Sequence, residues 1–234
     1  TGTLDDLQTH RLVLEGLCGT VNKVISTKEL IEKKTLANLK IDSLILGYKE
    51  DECKDVKNLK YADEMDYIVT HKKRLSFITN LLGNVKGNVL VLYQFVEKHG
   101  KPLYDTIKEK YKDRNVFFVS GSVDALDREK IREISEKTNN AVIVASYGTF
   151  STGINIKNLH NIIFSSPSKS KIRVLQSIGR GLRLNDNKEM CKLFDIADDL
   201  TYKGKQNFTL RHFMERINIY NEEQFDYTIH RINI

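Results

Sequence analysis

Cysteine is scarce in this 234-residue sequence, which has three, at Cys18, Cys53 and Cys191. None belongs to a C-x-x-C pair, and no histidine stands nearby at metal-ligand spacing, so we expect neither a disulfide scaffold nor a zinc site. Long apolar runs are also absent: none approaches the roughly 18 residues that a membrane span needs, and no signal peptide is visible. We therefore expect an intracellular, cytoplasmic protein that lies in a reducing compartment and does not enter a membrane.

A phosphate-binding P-loop is missing as well. No G-x-x-x-x-G-K-[ST] pattern occurs, because the two Gly-Lys pairs, in Gly100-Lys101-Pro102 and Gly204-Lys205-Gln206, lack both the following hydroxyl residue and the upstream glycine. P-loop enzymes use that pattern to hold the phosphates of ATP and a magnesium ion. By itself the chain is therefore predicted to be inactive towards ATP.

Acidic residues occur in three places that superficially suit metal chemistry. Asp51-Glu52-Cys53-Lys54 and Asp63-Glu64-Met65-Asp66 resemble a DExx box, but neither directly follows an apolar strand, so we expect surface carboxylates. Asp195, Asp198 and Asp199 do follow a predicted strand, and helix capping is favoured over a metal role for them. The six histidines show no spacing typical of a triad or a metal site.

The composition is that of a folded, basic protein. Hydrophobic residues make up 40% and aromatic residues 9%, which is enough for a buried core in one large or two small domains. A formal net charge of +6 suits a polyanionic partner. Many basic proteins never bind nucleic acid, so the charge shifts the odds only slightly.

Short apolar strands alternate with helices through most of the sequence. This alternation predicts an α/β fold with a mainly parallel sheet covered by helices on both faces. The predicted strands span residues 41–46, 89–92, 116–119, 141–145, 162–164 and 192–196. The predicted helices span residues 4–16, 26–37, 62–82, 101–111, 124–137 and 210–223, with a charged surface loop at 49–60 and an alternating tail at 227–230.

Three segments follow from this pattern. Residues 1–84 are predicted to form an interdomain connector with entry helices, and residues 85–200 the regular α/β domain. Residues 201–234 are predicted to form a C-terminal helix and tail that pack on the same domain. The sequence begins without methionine, which suggests a fragment of a longer protein.

The stretch Gln176-Ser177-Ile178-Gly179-Arg180-Gly181-Leu182-Arg183 carries the clearest functional signal. On one continuous helix, at about 100° per residue, Gln176, Arg180 and Arg183 would share a polar face with Arg173, opposite an apolar face. Guanidinium groups stay charged and donate several N–H bonds in a fixed fork, which suits polyphosphate oxygens. This face is therefore predicted to bind an anion.

An amphipathic surface helix with solvated arginines is the alternative interpretation of this stretch. The glycines argue against it, because Gly179 and Gly181 each cost about 1 kcal/mol inside a helix relative to alanine. Such a cost is easier to understand if a ligand must approach the backbone closely.

A second stretch, residues 144–156, runs from an apolar strand into a loop rich in hydroxyls and glycines. Such a loop can offer serine and threonine hydroxyls and bare backbone N–H groups to phosphates, and Gly153 permits a close approach. An ordinary polar turn between a strand and a helix is the alternative.

Together these stretches resemble the superfamily-two helicases. Residues 176–183 match the sixth motif of that superfamily, Q-x-x-G-R-x-x-R, and residues 146–155 resemble the fifth, which precedes the sixth at this distance. Further similarities lie at Asn88–Phe95 (the fourth motif), at Ser120-Gly121 with Asp127-Arg128, and at Thr1-Gly2-Thr3 (the third motif). The fifth motif usually reads Gly-x-Asp, so Asn155 removes any carboxylate role there.

The resemblance implies a RecA-like helicase domain 2, and hence the C-terminal motor half of an ATP-dependent helicase or translocase. ATP and Mg²⁺ would bind between it and an N-terminal RecA-like domain of the same protein. The implied catalytic residues are the arginine fingers Arg180 and Arg183, with Gln176. The implied cofactor-binding residues are Gly153, Asn155 and Gly179. Nucleic-acid backbone contacts are implied for Gln94, Gly121, Ser122, Arg128, Ser146, Thr149 and Thr152.

The resemblance also implies DNA or RNA as the partner, and we expect a monomer. The sequence of residues 148–156 is similar to that of a phage branch of the superfamily, which implies branched DNA or RNA–DNA hybrids as substrates. Two alternatives stay open: a non-catalytic nucleic-acid binding module, and an α/β enzyme acting on a small phosphorylated metabolite. The second alternative lacks a nucleophile or base near the arginines.

Overall fold

One parallel sheet organises the protein. The computed structural model describes residues 8–20, 25–153, 156–185 and 188–234. In chain order, the strands of these residues are β1 (Asn38–Gly47), β2 (Val89–Tyr93), β3 (Asn115–Val119), β4 (Ala141–Ser146), β5 (Asn161–Phe164), β6 (Met190–Asp199) and β7 (Tyr227–Asn233). They lie side by side in the order β3-β4-β2-β5-β6-β1-β7, and every neighbouring pair is parallel.

Helices connect these strands. They are α1 (Gln8–Cys18), α2 (Thr27–Glu32), α3 (Glu50–Val56), α4 (Tyr61–Thr70), α5 (Lys72–Leu81), α6 (Lys101–Lys110), α7 (Ala125–Lys137), α8 (Tyr147–Gly153), α9 (Lys171–Gly181) and α10 (Phe208–Glu222). A 3₁₀ turn follows α5 at Leu82–Asn84, and a π-helical turn precedes α6 at Val96–Gly100. In the part of the chain that the structure describes, no helix is long and apolar enough to span a bilayer.

Helices cover the sheet on both faces, so the strands are apolar on both sides. Along β2, Leu90 faces a core that includes Val174 of α9 and Phe213 of α10. Val91 faces the opposite core, which includes Leu103 of α6. All five residues of β2 are buried, as expected of a central parallel strand. The predicted α/β class, with a parallel sheet between two helical layers, is confirmed.

Two predictions of local structure between residues 49 and 82 are wrong. The surface loop predicted at 49–60 contains α3, a short helix whose many charges conceal the buried pair Cys53 and Val56. The single helix predicted at 62–82 is two helices, α4 and α5. It is interrupted at His71, which is extended (φ −68°, ψ 118°) and whose side chain accepts a bond from the backbone N–H of Arg74. A histidine N-cap has no strong sequence signature, so this break was missed.

The first and last segments of the chain contribute strands to the same sheet as the middle segment. β1 lies between β6 and β7, and its pairing with β6 extends over ten residues from Asn38 to Gly47. The alternating tail pairs with β1 as β7. The segment boundaries at residues 84 and 200 stay predictions.

The sequence predicts that Glu64 lies on the surface. In the structure, however, Glu64 is 3% exposed and caps helix α10. Its Oε2 accepts from the backbone N–H of Phe208 at 3.0 Å, and its Oε1 accepts from that of Thr209 at 2.8 Å. A carboxylate at a helix N-terminus satisfies free N–H donors and interacts favourably with the helix dipole. Glu64 therefore joins α4 to α10, a contact between segments that are distant in sequence.

Two buried ion pairs join β6 to helices. Asp195 accepts three bonds from Arg216 of α10: Nε donates to Oδ1 and Oδ2 at 3.0 and 2.9 Å, and Nη2 donates to Oδ1 at 2.8 Å. The Tyr220 hydroxyl donates a fourth bond, to Oδ2 at 2.8 Å. Asp198 accepts from Nε of Arg74 in α5 at 2.7 Å. All four charged side chains are 0–1% exposed. Each carboxylate is thereby neutralised by a helix on a different face of the sheet.

The expectation that Asp195 and Asp198 cap a helix is therefore wrong, because both serve arginines that the sequence places far away. Asp199 accepts from the backbone N–H of Thr201 and from Arg231 instead. Among the described residues, no cluster of three or more His, Cys, Asp or Glu side chains could hold a metal ion.

We expect Arg216→Met to lower the free energy of unfolding by about 3–5 kcal/mol, because it leaves the Asp195 carboxylate buried without its cation. Urea unfolding followed by circular dichroism measures this change. Arg211→Met, an exposed substitution on the same helix, should stay within about 0.5 kcal/mol of the parent. Equal losses for the two variants would show that the ion pair is not what anchors α10.

Candidate nucleotide and nucleic-acid site

Helix α9 presents the polar residues that the sequence singles out. Its first turn is capped by Ser170, whose side chain accepts from the backbone N–H of Arg173. Val174 and Ile178 are buried against the sheet. On the other side, Arg173, Gln176 and Gly179 are exposed and Arg180 is half-buried.

Arg183 does not lie on this helix, which is a correction to the predicted four-residue face. The helix ends at Gly181, and Arg183 follows the C-cap residue Leu182. Arg180 and Arg183 nevertheless stay near each other: burial lowers the pKa of Arg180, and the charge of Arg183 lowers it further. Arg183 is half-buried, so two guanidiniums share one partly shielded surface at the end of α9.

Lys188 fixes the backbone at this helix end, and the sequence analysis missed it. Its ammonium group donates to the carbonyl oxygens of Gly181, Arg183 (3.0 Å) and Lys157 (3.3 Å). The carbonyls at a helix C-terminus lack partners within the helix, so a lysine there satisfies them. Lys188 is 3% exposed, and burial lowers its pKa. The only signal in the sequence would have been a lysine shortly before a strand.

The two glycines of α9 have different roles. A Cβ atom at Gly181 would lie 2.5 Å from Cδ1 of Ile162 and 2.7 Å from Sγ of Cys191, so this glycine lets the helix pack closely on the sheet. A Cβ at Gly179 would meet nothing within 4 Å. The predicted close approach of a ligand therefore has an internal explanation at Gly181, while Gly179 faces open space.

Helix α8 occupies the place where the sequence predicts a loop. Ser146, the last residue of β4, caps it: the Ser146 hydroxyl accepts from the backbone N–H of Thr149 at 3.2 Å and lies 2.7 Å from the Thr149 hydroxyl. Phe150 of the same helix lies beneath Arg180, whose guanidinium carbon is 5.2 Å from the ring centroid. A ring face attracts a cation, so α8 supports the arginine of α9.

Ser166, which follows β5, joins two other candidate segments. Its hydroxyl accepts from the backbone N–H of Gln94 at 3.1 Å and lies 2.9 Å from Nδ1 of His99. Its carbonyl accepts from the hydroxyl of Tyr147 at 3.1 Å. Burial and the charge of Arg74 lower the pKa of His99 to about 3, so the ring stays neutral and its Nδ1 can accept the Ser166 proton.

The segment after β3 is exposed. Gly121 and Ser122 lie at the surface, and a Cβ at Gly121 would meet nothing within 4 Å. The Ser122 hydroxyl lies 2.8 Å from that of Ser120. Arg128 of α7 folds back so that its Nη2 donates to the Gly121 carbonyl at 3.2 Å. This bond holds a cation beside an open backbone segment.

The structure thus brings most of the predicted nucleic-acid residues to one edge of the sheet. Gln94 follows β2, Gly121 follows β3 and Ser146 ends β4, and these three strands are neighbours. Gly153 is the last residue of α8. Asn155 and the side chain of Thr152 lie outside the described part of the chain. The roles of these residues, like those of Gln176, Arg180 and Arg183, stay predictions.

The parallel sheet and the order of these segments around it define a class of protein. The family model of the helicase conserved C-terminal domain matches residues 73–185. The chain accordingly contains the C-terminal domain of a superfamily-two helicase. The resemblance that the motifs indicate is confirmed.

Individual relatives agree with this assignment. The ATP-dependent DNA helicase UvsW of Enterobacteria phage T4 is 34% identical over 247 residues, which cover 100% of this chain and 49% of that protein. The crystal structure of T4 UvsW matches with a TM-score of 0.73 and 36% identity over 85% of this chain and 42% of that one. The chain therefore spans about half the length of this relative.

A more distant structure shares the fold alone. The fragment of a putative HsdR subunit of a type I restriction enzyme from Vibrio vulnificus YJ016 matches with a TM-score of 0.66 at 14% identity. The match covers 99% of this chain and 43% of that one. The sheet and its helical layers are thus found at very low sequence identity.

We expect Lys188→Met to destabilise the chain by about 2–4 kcal/mol, because three carbonyl oxygens lose their buried donor. Thermal unfolding by calorimetry measures the loss. Lys137→Met, at an exposed position on α7, is the matched control and should be nearly neutral. A neutral Lys188→Met variant would mean that the helix end does not need this donor.

The low pKa of His99 predicts a specific loss of stability in acid. The unfolded chain binds a proton on this histidine below its ordinary pKa of 6.5, whereas the folded chain does so only near pH 3. The contribution of neutral His99 to the free energy of unfolding is thus fully present above pH 6.5. It decreases as the pH is lowered, by about 2 kcal/mol between pH 7 and 5. His99→Asn, which keeps an acceptor near the position of Nδ1, should show a pH dependence weaker by that amount in urea unfolding. An unchanged pH dependence would contradict this account.

Proposed function

We propose that this chain is the C-terminal motor half of an ATP-dependent nucleic-acid helicase or translocase. The observation that carries the proposal is the position of Arg180 and Arg183 at the end of α9, where the Phe150 ring lies beneath the Arg180 guanidinium and Lys188 donates to the Arg183 carbonyl. Two adjacent guanidiniums gain stability from a polyanion between or beside them. A nucleotide phosphate supplied from a neighbouring domain provides such a polyanion.

The residues of this surface fit ATP and Mg²⁺ held mainly by another domain. Gly179 leaves open space beside Arg180, and Gln176 is exposed one turn earlier on α9. Gly153 and Asn155 are the further proposed contacts to the nucleotide. Because the sequence has no P-loop, the phosphate cradle and the magnesium ligands come, in this proposal, from an N-terminal RecA-like domain of the same protein.

When bound, ATP with Mg²⁺ supplies the phosphoryl group that is transferred to water. The arginines contribute positive charge where negative charge develops in the transition state, and such arginine fingers are worth about 10³–10⁵ in rate. Phe150 beneath Arg180 and Lys188 beneath the Arg183 backbone hold the two groups in place. The half-buried surroundings strengthen their interaction with an anion, because local water is reduced.

Nucleic acid is proposed to lie across the carboxyl edge of the sheet. The proposed backbone contacts come from Gln94, Gly121, Ser122 and Arg128, and from the α8 residues Thr149 and Thr152 with Ser146. Contacts of this kind bind phosphates and carry little base specificity. Phe150 of α8 lies against Arg180, and in this proposal that contact transmits closure of the nucleotide cleft to the nucleic-acid contacts, which is the requirement for stepping.

The proposed substrates are branched DNA or RNA–DNA hybrids. This part of the proposal rests on the similarity of residues 148–156 to the phage branch of the superfamily. The relative T4 UvsW is named a DNA helicase and is 34% identical, which supports DNA as one partner. In this proposal the protein acts in DNA repair and recombination, is located inside the cell and is a monomer.

We expect Arg183→Ala, in the whole protein that includes the N-terminal domain, to reduce nucleic-acid-stimulated ATP hydrolysis by about 10³-fold or more. Binding of single strands should be largely retained, because phosphates of the strand contact other residues. A coupled phosphate-release assay and fluorescence anisotropy measure the two quantities. The chain alone should show no ATP hydrolysis.

Arg132→Ala is the matched control, since Arg132 is a partly exposed arginine on α7 that pairs with Glu129. It should leave hydrolysis unchanged. A different result would contradict the arginine-finger role: Arg183→Ala keeps full ATPase activity but weakens a strand binding that falls steeply as salt is added. The chain would then be a non-catalytic nucleic-acid binding module.

A further inference from the structure

A second basic surface lies beyond the proposed motor loops, and none of the motifs includes it. A groove of about 350 Å³ opens between α3, the segment after β6 and the first turn of α10. Lys57, Lys205 and Arg211 line it, and all three side chains are exposed. Lys203 is exposed beside it, on the turn that forms one wall.

That turn is conformationally well defined. Tyr202 and Lys205 exchange two backbone hydrogen bonds, with N–O distances of 3.2 and 3.0 Å. Between them, Lys203 and Gly204 both have positive φ angles, of 46° and 81°. Two consecutive left-handed residues define a type I′ turn, which is tight and stiff. A lysine with positive φ is uncommon, so an asparagine or glycine would be favoured at position 203 if conformation alone mattered.

Aromatic rings gather the cations of the groove. Nζ of Lys57 lies 5.1 Å and Nζ of Lys203 5.6 Å from the ring centroid of Tyr202. The guanidinium carbon of Arg211 lies 4.7 Å from the ring centroid of Phe208, which lines the groove. Sites for single-stranded nucleic acid combine cations for the phosphates with rings for the bases. Both components occur here within one short segment.

The acid in the groove does not cancel this charge. Glu64 is the acidic residue among the described lining residues, and it is buried beneath the first turn of α10. Both of its oxygens already accept backbone N–H bonds, from Phe208 and Thr209. The exposed cations are therefore left to face solvent or a ligand rather than this carboxylate.

The groove lies at the same edge of the sheet as the proposed motor loops. β6 ends at Asp199, just before the turn, and only β5 separates β6 from β2. Two strand spacings amount to about 10 Å. The segment after β6, which forms one wall of the groove, therefore follows a strand only two places from the strand that precedes Gln94.

We propose that this groove binds single-stranded nucleic acid, with Lys57, Lys203, Lys205 and Arg211 on the phosphates and Phe208 against a base. The inference rests on the proposed function, since it extends the strand path proposed there. It adds a second contact region on the side of the sheet away from β3. DNA and RNA share the backbone that these cations recognise.

The test measures binding of fluorescein-labelled oligothymidylate and oligouridylate 20-mers to the 234-residue chain by anisotropy at several salt concentrations. Lys203→Gln with Lys205→Gln should weaken binding and reduce the slope of log K against log salt by about 1.4, since each lost phosphate contact removes about 0.7 for a single strand. Phe208→Leu should weaken binding roughly fivefold or more with an unchanged slope, because stacking is lost but no cation is. Comparing the two oligonucleotides shows which backbone is preferred.

The matched control is Lys108→Gln with Lys110→Gln, a pair of exposed lysines at the far end of α6 that removes the same charge. A loss as large in this control as in the groove pair would mean a general charge effect and would overturn the proposal. So would a Phe208→Leu variant that binds like the parent, which points to an acidic protein as the occupant. If Arg128→Gln weakens binding and the groove variants do not, the groove alone fails. If the parent chain binds neither oligonucleotide, the proposed function fails as well.

Discussion

All described strands of the sheet run in the same direction, so their carboxyl ends lie at one edge. Segments that are far apart in the chain, after β2, β3, β4 and β6, are therefore neighbours there. The parallel arrangement also requires helical crossovers, which cover both faces of the sheet, so loops with exposed polar groups meet at this edge. The candidate nucleotide surface, the strand contacts and the basic groove all lie along that edge or on helices that start from it.

Cations occur in two environments, and burial separates their roles. Arg74 and Arg216 are 1% exposed, and each is matched by an aspartate of β6, so they hold helices on the sheet. Removing one partner of a buried ion pair lowers the free energy of unfolding strongly, because the other charge stays buried and unpaired. Replacing both partners by apolar residues is often nearly neutral. Arg180 and Arg183 are half-buried and close to each other instead. The first pair of arginines stabilises the fold, and the second pair lies at the end of α9, where the nucleotide is proposed to bind.

The residues that position the candidate site were hard to find in the sequence, because they act through backbone atoms. Lys188 donates to backbone carbonyls. The Ser166 hydroxyl accepts from the backbone N–H of Gln94, and the Ser166 carbonyl accepts from the Tyr147 hydroxyl. Neither residue type is unusual, and neither stands in a recognisable pattern. The two glycines of α9 have the same local signature, yet Gly181 packs on Ile162 while Gly179 faces open space.

The sequence by itself determined the α/β class, most strand positions and the motifs that identify the superfamily, because hydrophobic period and short polar patterns are local properties. It did not determine the break at His71, the end of α9 before Arg183 or the burial of Glu64, since each depends on atoms that arrive from another part of the chain. Only the tertiary structure decided that the aspartates of β6 serve arginines rather than a helix or a metal. Pairing a buried charge is a long-range requirement, and nothing in the neighbouring residues of a carboxylate states which cation will meet it.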